Sequence, residues 1–320
     1  MKAIRIHEFG GPEVLKYEET GELKPSAGQV VVRIKAAGVN PVETYIRAGA
    51  YARKPELPFT PGSDGAGVVL ESGQGVKKFK SGDRVYTHGS LSGTYADKAL
   101  CLESQLSPLP DNISFSQGAA LGIPYGTAYR ALFQKALALR GETVLIHGAS
   151  GGVGTAAIQL ARAAGMRIIA TAGSENGLAL VKELGADETL DHSQAGHMQK
   201  ISELTKGKNV DIILEMLANV NLAADLEALA FKGRVVVIGS RGTVEIDPRL
   251  LMVKDALVTG MLLFNTGETE MEVIHADLSK GLLNGSLSPV IGTELPLTDA
   301  AAAHKKVMSP GAYGKIVLVP

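Results

Sequence analysis

The sequence predicts an α/β protein: a doubly wound parallel sheet of strand order 3-2-1-4-5-6, joined to a second, mostly β domain. Three observations carry this. Residues 143–154, TVLIHGASGGVG, run from an apolar stretch into a glycine-rich turn and on into a helix-period stretch. Strand-like apolar runs then alternate with helical stretches, the pattern of a parallel sheet covered on both faces. Upstream, short apolar runs recur between Gly and Pro clusters, as in compact barrel-like β domains.

Length and composition set the outer bounds. At 320 residues the chain exceeds the usual single domain, and 45% hydrophobic residues are enough for sizeable cores. Lysine plus arginine number 32 against 33 acidic residues, a balance that gives no support to a dedicated nucleic-acid binder. A single cysteine, Cys101, rules out an intrachain disulfide and a cysteine-rich zinc site. No apolar stretch reaches membrane-spanning length, and the N-terminal residues MKAIRIHEFGG lack a secretory h-region. A cytoplasmic protein with no membrane partner is the expectation.

Taken in order, residues 29–37 alternate apolar and polar with period two, a half-buried strand. Further short strands are expected over 65–70, 84–86 and 95–100, and 108–112 reads as a crossing segment. From residue 114 the period changes. Residues 128–139 are helical in pattern and lead into the strand before the glycine turn. In the helix after the turn, Ala157, Leu160, Ala161 and Ala164 share one face, and Gly165 is placed to end it. Strands follow over 166–171, 187–191, 209–216, 233–239 and 256–263. Two helical stretches and a strand over 314–319 remain. That strand has no place in a completed six-stranded sheet, so it returns to the first domain. The expected boundaries are 1–122, 123–263 and a return over 264–320, with the two domains packed around a cleft.

The glycine turn aims backbone N–H groups at whatever lies over the helix N-terminus, where anions are favoured. Glycines let a phosphate approach the backbone closely. Many βα loops carry such a turn, so the turn alone is weak evidence of a dinucleotide site.

The chain resembles the zinc-independent quinone oxidoreductases of the medium-chain dehydrogenase/reductase superfamily, zeta-crystallin type. The stretches that carry the resemblance are GVNPVETYIRAG (38–49), TPGSDGAGVV (60–69), GIPYGTAYRAL (122–132), HGASGGVGTAAIQLARAAG (147–165), EMLANVN (215–221) and GSRGTVEIDPR (239–249). It implies a GroES-like catalytic domain beside a Rossmann domain. It also implies NADPH-dependent reduction of small quinones, often ortho-quinones by single-electron transfer, in a homodimer or homotetramer. Carried over by position, the cofactor contacts are Tyr45, Thr127, Ser150, Gly151, Gly152, Val153, Gly173, Ser174, His192, Asn221, Ile238, Gly239, Ser240, Arg241, Met261, Leu262 and Leu263. A related activity, reduction of enones or other activated alkenes, uses the same cofactor placement. A third reading is RNA binding or a structural role, as zeta-crystallin-like proteins bind AU-rich RNA or accumulate in lens.

Zinc-dependent relatives carry a cysteine where this chain has Asn40, and a histidine where it has Ser63. Neither offers the soft ligands zinc prefers, so no metal is expected. Asn40 and Tyr45 are the catalytic candidates: an amide and a phenol can orient a carbonyl oxygen, and the phenol can pass a proton. Residue type alone favours a plain turn at Asn40–Pro41 and a packed Tyr45. His147 reads as structural, and Cys101 as an inert packed thiol.

Cofactor choice turns on the end of the second Rossmann strand. NAD-specific sheets usually place an acid there. Here Ala172, Gly173 and Ser174 follow the strand, with no acid at the expected point. The Gly173 and Ser174 backbone, the Ser174 hydroxyl and His192 are the expected donors to a 2′-phosphate. Glu175 next in sequence, and Gly177 where some bacterial relatives carry a lysine, argue against an extreme preference.

Overall fold

The computed structural model describes residues 1–52 and 54–320. Contacts divide the chain into two units. Unit 1 holds Met1–Ile123, His275–Ser309 and Gly314–Pro320, and unit 2 holds Pro124–Ile274 and Pro310–Tyr313. The second boundary falls later than the sequence reading placed it. Arg130 donates to Thr266 and to Glu270 at 3.1 Å, and Gln134 to the Glu270 carbonyl at 3.3 Å, so the chain past residue 263 stays with unit 2. Residues 310–313 were not expected there either. Ser150 Oγ donates to the Ala312 carbonyl at 2.7 Å and ties that segment to the glycine turn.

Unit 1 begins with the hairpin β1 (Lys2–Arg5) and β2 (Lys16–Glu19), then β3 (Gln29–Val39) and helix α1 (Pro41–Arg47). Next come β4 (Asp64–Ser72), β5 (Arg84–His88), β6 (Lys98–Leu102), β7 (Leu106–Pro108) and α2 (Phe115–Gly118). β3 is the centre of this unit and runs longer than the expected 29–37. Val30, Val32 and Ile34 point into a core with Ile4, Ile6, Phe79, Tyr95 and Leu318, while Arg33 and Lys35 face water. The alternation is therefore a real inside–outside pattern. β4 crosses β3 so closely that a Cβ on Gly67 would lie 1.9 Å from the Arg33 carbonyl oxygen, so only glycine fits.

Helix α3 (Gly122–Tyr129) runs into a π-helical turn, Arg130–Lys135. The expected helix over 128–139 stops there, and Leu137 takes a left-handed φ of 51°. Unit 2 then alternates: β8 (Thr143–Ile146), α4 (Gly152–Ala163), β9 (Arg167–Ala172), α5 (Glu175–Glu183), β10 (Glu188–Asp191) and α6 (Lys200–Leu204). It continues with β11 (Val210–Glu215), α7 (Ala218–Ala228), β12 (Leu229–Val237), α8 (Pro248–Lys254) and β13 (Leu257–Gly260). The sheet order is β10-β9-β8-β11-β12-β13 with every pair parallel, which is 3-2-1-4-5-6. β8 and β11 are buried on both faces, as a central parallel pair requires. β13 is shorter than the expected 256–263. Past Gly260 only the Met261 N–H bond to the Val237 carbonyl, 3.0 Å, continues the ladder.

The chain leaves through α9 (Glu268–Leu283) and ends with β14 (Ile291–Pro296), α10 (Ala300–Lys306) and β15 (Lys315–Val319). β15 lies antiparallel to β3, with Val317 opposite Gly38, and parallel to β14. The last strand thus completes the seven-stranded sheet of unit 1. Among the described residues no helix is long and apolar enough to cross a membrane.

Candidate active site

Because all strands of unit 2 are parallel, their carboxyl ends share one edge of the sheet. Ser150 to Val153 follow β8, Gly173 and Ser174 follow β9, and His192 follows β10. Asn221 lies in the first turns of α7 after β11, Ile238 to Arg241 follow β12, and Met261 to Leu263 follow β13. Such an edge, around the central pair β8 and β11, is where open α/β sheets bind ligands.

The glycine turn is shaped by contact. Gly148 has a left-handed φ of 54°. A Cβ on Gly154 would lie 2.4 Å from Ala149 Cα, so helix α4 closes directly onto the turn. The α4 N-cap is Gly151, which has no side chain to occupy the helix N-terminus, leaving first-turn N–H groups for an anion. These features fit a bound pyrophosphate. The Ser150 hydroxyl proton is already given to Ala312, so Ser150 meets a ligand as an acceptor or through its backbone.

At the end of β9 the space is equally defined. A Cβ on Gly173 would lie 2.4 Å from His192 Nε2, so no acidic side chain could stand there without displacing the ring. Ser174 caps α5, its Oγ accepting the Gly177 N–H at 3.1 Å, and keeps its own proton to donate. The point where a Gly177 Cβ would sit is 3.1 Å from both Ser150 Oγ and Ser174 Oγ. Glu175 is exposed to solvent. His192 has its pKa lowered, first by desolvation and then by His197 and His147. It is therefore a neutral ring at pH 7, with Nδ1 3.3 Å from Thr171 Oγ1. A phosphate would meet one N–H, not a charged imidazolium.

Along the rest of the edge, Arg241 N–H donates to Asn219 Oδ1 at 2.8 Å, and Ser240 Oγ donates to the Gly242 carbonyl at 3.0 Å. Leu263 packs on α3: its Cδ2 lies 3.3 Å from where a Gly126 Cβ would be, beside buried Thr127. Asn221 Nδ2 donates to Glu215 Oε1 at 3.2 Å.

In unit 1 the sequence-predicted pair separates into two kinds of residue. Asn40 is 3% exposed and caps α1, its N–H donating to Glu43 Oε2 at 2.9 Å. Its Nδ2 donates to Asp64 Oδ2 at 2.9 Å, and its Oδ1 accepts from Lys315 Nζ. The Asn40 side chain is thus engaged within the protein, its carbonyl by Lys315 and its amide by Asp64 and, at 3.5 Å, by Glu43 Oε1. Tyr45, half-buried on the same helix, makes no side-chain hydrogen bond among the described residues, so its hydroxyl remains available.

Asn40 belongs to a buried polar chain that sequence reading missed. Lys315 Nζ also donates to Asp64 Oδ2 at 2.8 Å, and the Ile123 N–H donates to Asp64 Oδ1 at 2.7 Å. Tyr95 O–H donates to Glu43 Oε2 at 2.7 Å and lies 3.2 Å from His304 Nε2, while Arg47 donates to His304 Nδ1 at 3.1 Å. Burial, and then Arg47, push His304 down to about 3, so the ring is neutral. Its Nδ1 accepts and its Nε2–H donates to the phenol. Burial raises the Glu43 pKa, opposed by the charge of Lys315. The one local signal was a lysine opening the apolar run KIVLV. At the two positions where zinc-dependent relatives hold metal, the groups present are the Asn40 amide, already bound to Asp64 and Lys315, and the Ser63 hydroxyl. Cys101 is buried, its thiol pushed up to about 12 by desolvation.

Residues 26–111 match the alcohol dehydrogenase GroES-like domain family and residues 152–277 the zinc-binding dehydrogenase family. A quinone oxidoreductase of Rattus norvegicus is 50% identical over 100% of this chain and 98% of its own length. Among solved structures, an Escherichia coli quinone oxidoreductase complexed with NADPH is 31% identical, with a TM-score of 0.91 and all of both chains covered. A structure described as an NAD-dependent alcohol dehydrogenase is 30% identical, with a TM-score of 0.93 over all of both chains.

Proposed function

The chain belongs to the quinone oxidoreductases of the medium-chain dehydrogenase/reductase superfamily and is an NADPH-dependent quinone reductase, and on that premise we propose which of its residues do the work and on what. The substrate is a small quinone, with ortho-quinones favoured. Bound NADPH supplies the reducing equivalents. The observation that supports the cofactor assignment in this chain is the end of β9: His192 sits over Gly173 where an acid would stand, and the Ser174 hydroxyl can donate. The glycine turn and α4 hold the pyrophosphate. Asn221, Ile238 to Arg241 and Met261 to Leu263, with Thr127, line the rest of the cofactor. In unit 1, Tyr45 is the residue with a free donor for the quinone oxygen, and Asn40 holds the start of its helix. No metal takes part, because Asn40, Asp64 and Lys315 satisfy one another.

The free phenol of Tyr45 also supports a second reading, reduction of activated alkenes, which needs a proton delivered to carbon. Steady-state kcat/KM for NADPH and NADH with ortho-quinones, para-quinones and enones separates the readings. A clear preference for NADPH and quinones is expected. Turnover of enones alone would favour the second reading, and equal use of NADH would overturn the assignment at β9. Near-stoichiometric zinc by elemental analysis, lost together with activity on chelation, would overturn the metal-free mechanism.

The protein is proposed to be a homo-oligomer. Strand β13 is an open sheet edge on which Leu257 is 52% exposed, and on α8, just before it in sequence, Met252 is 75% and Val253 70% exposed. A monomer mass by light scattering at micromolar concentration would count against this.

A further inference from the structure

One buried cluster in unit 2 has no role in the reading above. His147 ends the β8 ladder, its N–H donating to the Leu214 carbonyl at 3.1 Å, immediately before the glycine turn. Its Nε2 lies 2.8 Å from Asp225 Oδ1 on α7 and 3.5 Å from Glu215 Oε2 at the end of β11. His147 is 3% exposed, and Glu215 and Asp225 are fully buried. Among the described residues no lysine or arginine forms an ion pair with any of the three. Glu215 Oε2 and Asp225 Oδ2 are buried and find no donor. Two adjacent carboxylates cannot both stay ionised under these conditions, and a proton on one supplies the bond the other lacks.

The cluster is joined to the cofactor edge at one point. Glu215 Oε1 accepts the Leu217 N–H, which opens α7, and Nδ2 of Asn221 at 3.2 Å. Asn221 and Asp225 are one helical turn apart on α7, so they share a face. One carboxyl group, that of Glu215, therefore holds both the start of the helix and the amide of Asn221, and Asp225, across His147 on the same helix, is its buried neighbour.

We propose that His147, Glu215 and Asp225 are a proton-holding clamp that positions Asn221 for the cofactor, so that NADPH affinity falls when the clamp loses its proton. This rests on the proposed contact between Asn221 and NADPH. The groups facing the cluster are those three and, after β10, His192, whose protonation His147 opposes. Burial holds both carboxyls up, to about 7, and holds His147 down. Below that range one proton bridges Glu215 and Asp225. Above it two buried anions repel each other, and the hold on Leu217 and Asn221 loosens.

The test is the Kd of NADPH by fluorescence titration from pH 6 to pH 9, for wild type, Glu215→Gln and Asp225→Asn. The wild-type Kd is expected to rise by about 10-fold across that range, the equivalent of roughly one hydrogen bond. Glu215→Gln keeps an acceptor for Asn221 and carries permanent N–H donors toward Asp225, so its profile should be flatter than wild type and tight at pH 9. Asp225→Asn should flatten the same way and serves if the first variant fails to fold. His192 and the phosphate of NADPH titrate alike in all three proteins, so the difference between profiles is the readout. Glu215→Ala and Asn221→Ala should each weaken binding, and the double variant should be no weaker than the worse single. Parallel profiles in all three proteins, or additive losses in the double variant, would overturn the clamp. Near-stoichiometric metal in wild type that disappears in Glu215→Gln would also overturn it, since the three side chains have ligand spacing. A wild type that binds no NADPH at any pH would overturn the functional reading as well.

Discussion

Replacing Lys315 with methionine tests whether one ammonium neutralises the polar chain of unit 1. The side chain of Lys315 is 3% exposed and its partner Asp64 0%. Methionine keeps the apolar stem and deletes the 2.8 Å ion pair and the bond to Asn40 Oδ1. Asp64 then keeps only neutral donors, Asn40 Nδ2 at 2.9 Å and the Ile123 N–H at 2.7 Å. Breaking a buried pair from one side costs about 3–5 kcal/mol, and with two bonds retained the lower end, about 3 kcal/mol, is expected. For a unit of this size that is a fall in Tm of about 6–12 °C. The chain has no tryptophan, so near-UV circular dichroism follows the buried tyrosines, Tyr86 and Tyr95 in unit 1 and Tyr125 in unit 2, and Tyr125→Phe in the background of both proteins leaves the unit 1 signal. The deficit should shrink on acidification. Glu43 is held above its ordinary pKa by burial and pulled down by Lys315, so without the lysine it takes up a proton at higher pH and removes one of two buried anions. Adding Asp64→Asn should recover more than half of the loss. A variant within about 1 kcal/mol of wild type at pH 7, or no recovery in the double variant, would refute the assignment.

Three further outcomes follow from the geometry. Tyr45→Phe should leave Tm unchanged, since the hydroxyl has no partner in the described chain, and lower kcat/KM by about 5-fold, the equivalent of one neutral hydrogen bond; unchanged kinetics would make Tyr45 a packing residue. Gly154→Ala should weaken NADPH by more than about 10-fold or lower stability by about 2 kcal/mol, because the new Cβ meets Ala149 backbone at 2.4 Å; fluorescence titration and thermal melting check it. Stability should fall as pH rises from about 4 to about 7, because folded Glu215 and Asp225 hold protons that the unfolded chain has released in that window. Urea unfolding at stepped pH should show a shallower fall in Glu215→Gln, and equal slopes would remove Glu215 from that titration.

What could be read from the sequence was what short-range chemistry dictates. The glycine turn and the alternating runs made the parallel sheet legible, because strand, turn and helix signals there lie within a dozen residues of each other. The strand β14 was not read: Gly292 and Pro296 interrupt it, and its alternation of half-buried and exposed positions is weak. Residues 108–112 were read as a crossing segment, and the neighbouring β7 was missed because it is only three residues long. The polar chain through Glu43, Asp64, Tyr95, His304 and Lys315 was invisible for a different reason. Its members come from distant parts of the chain, and no local pattern announces that a lysine will meet an aspartate 251 positions away. His147 was read as structural from its place at a strand end. Its partners on β11 and α7 became apparent only once the strand order put β11 beside β8.

The return of the final strand has a consequence for how the protein comes into being. β3 is the middle of the unit 1 sheet and emerges early from the ribosome, yet its partner β15 is the last strand to be made. The segment holding Ala312 against the glycine turn also arrives at the end. Residues 124–274, by contrast, form one unbroken stretch that can gather its own sheet while the chain is still growing. The nascent polypeptide thus carries an unclosed first sheet through nearly all of translation, exposed to chaperones and to neighbouring chains. A message cut short before residue 315 would yield a product in which β3 has β4 and β6 beside it but no strand along residues 37–39.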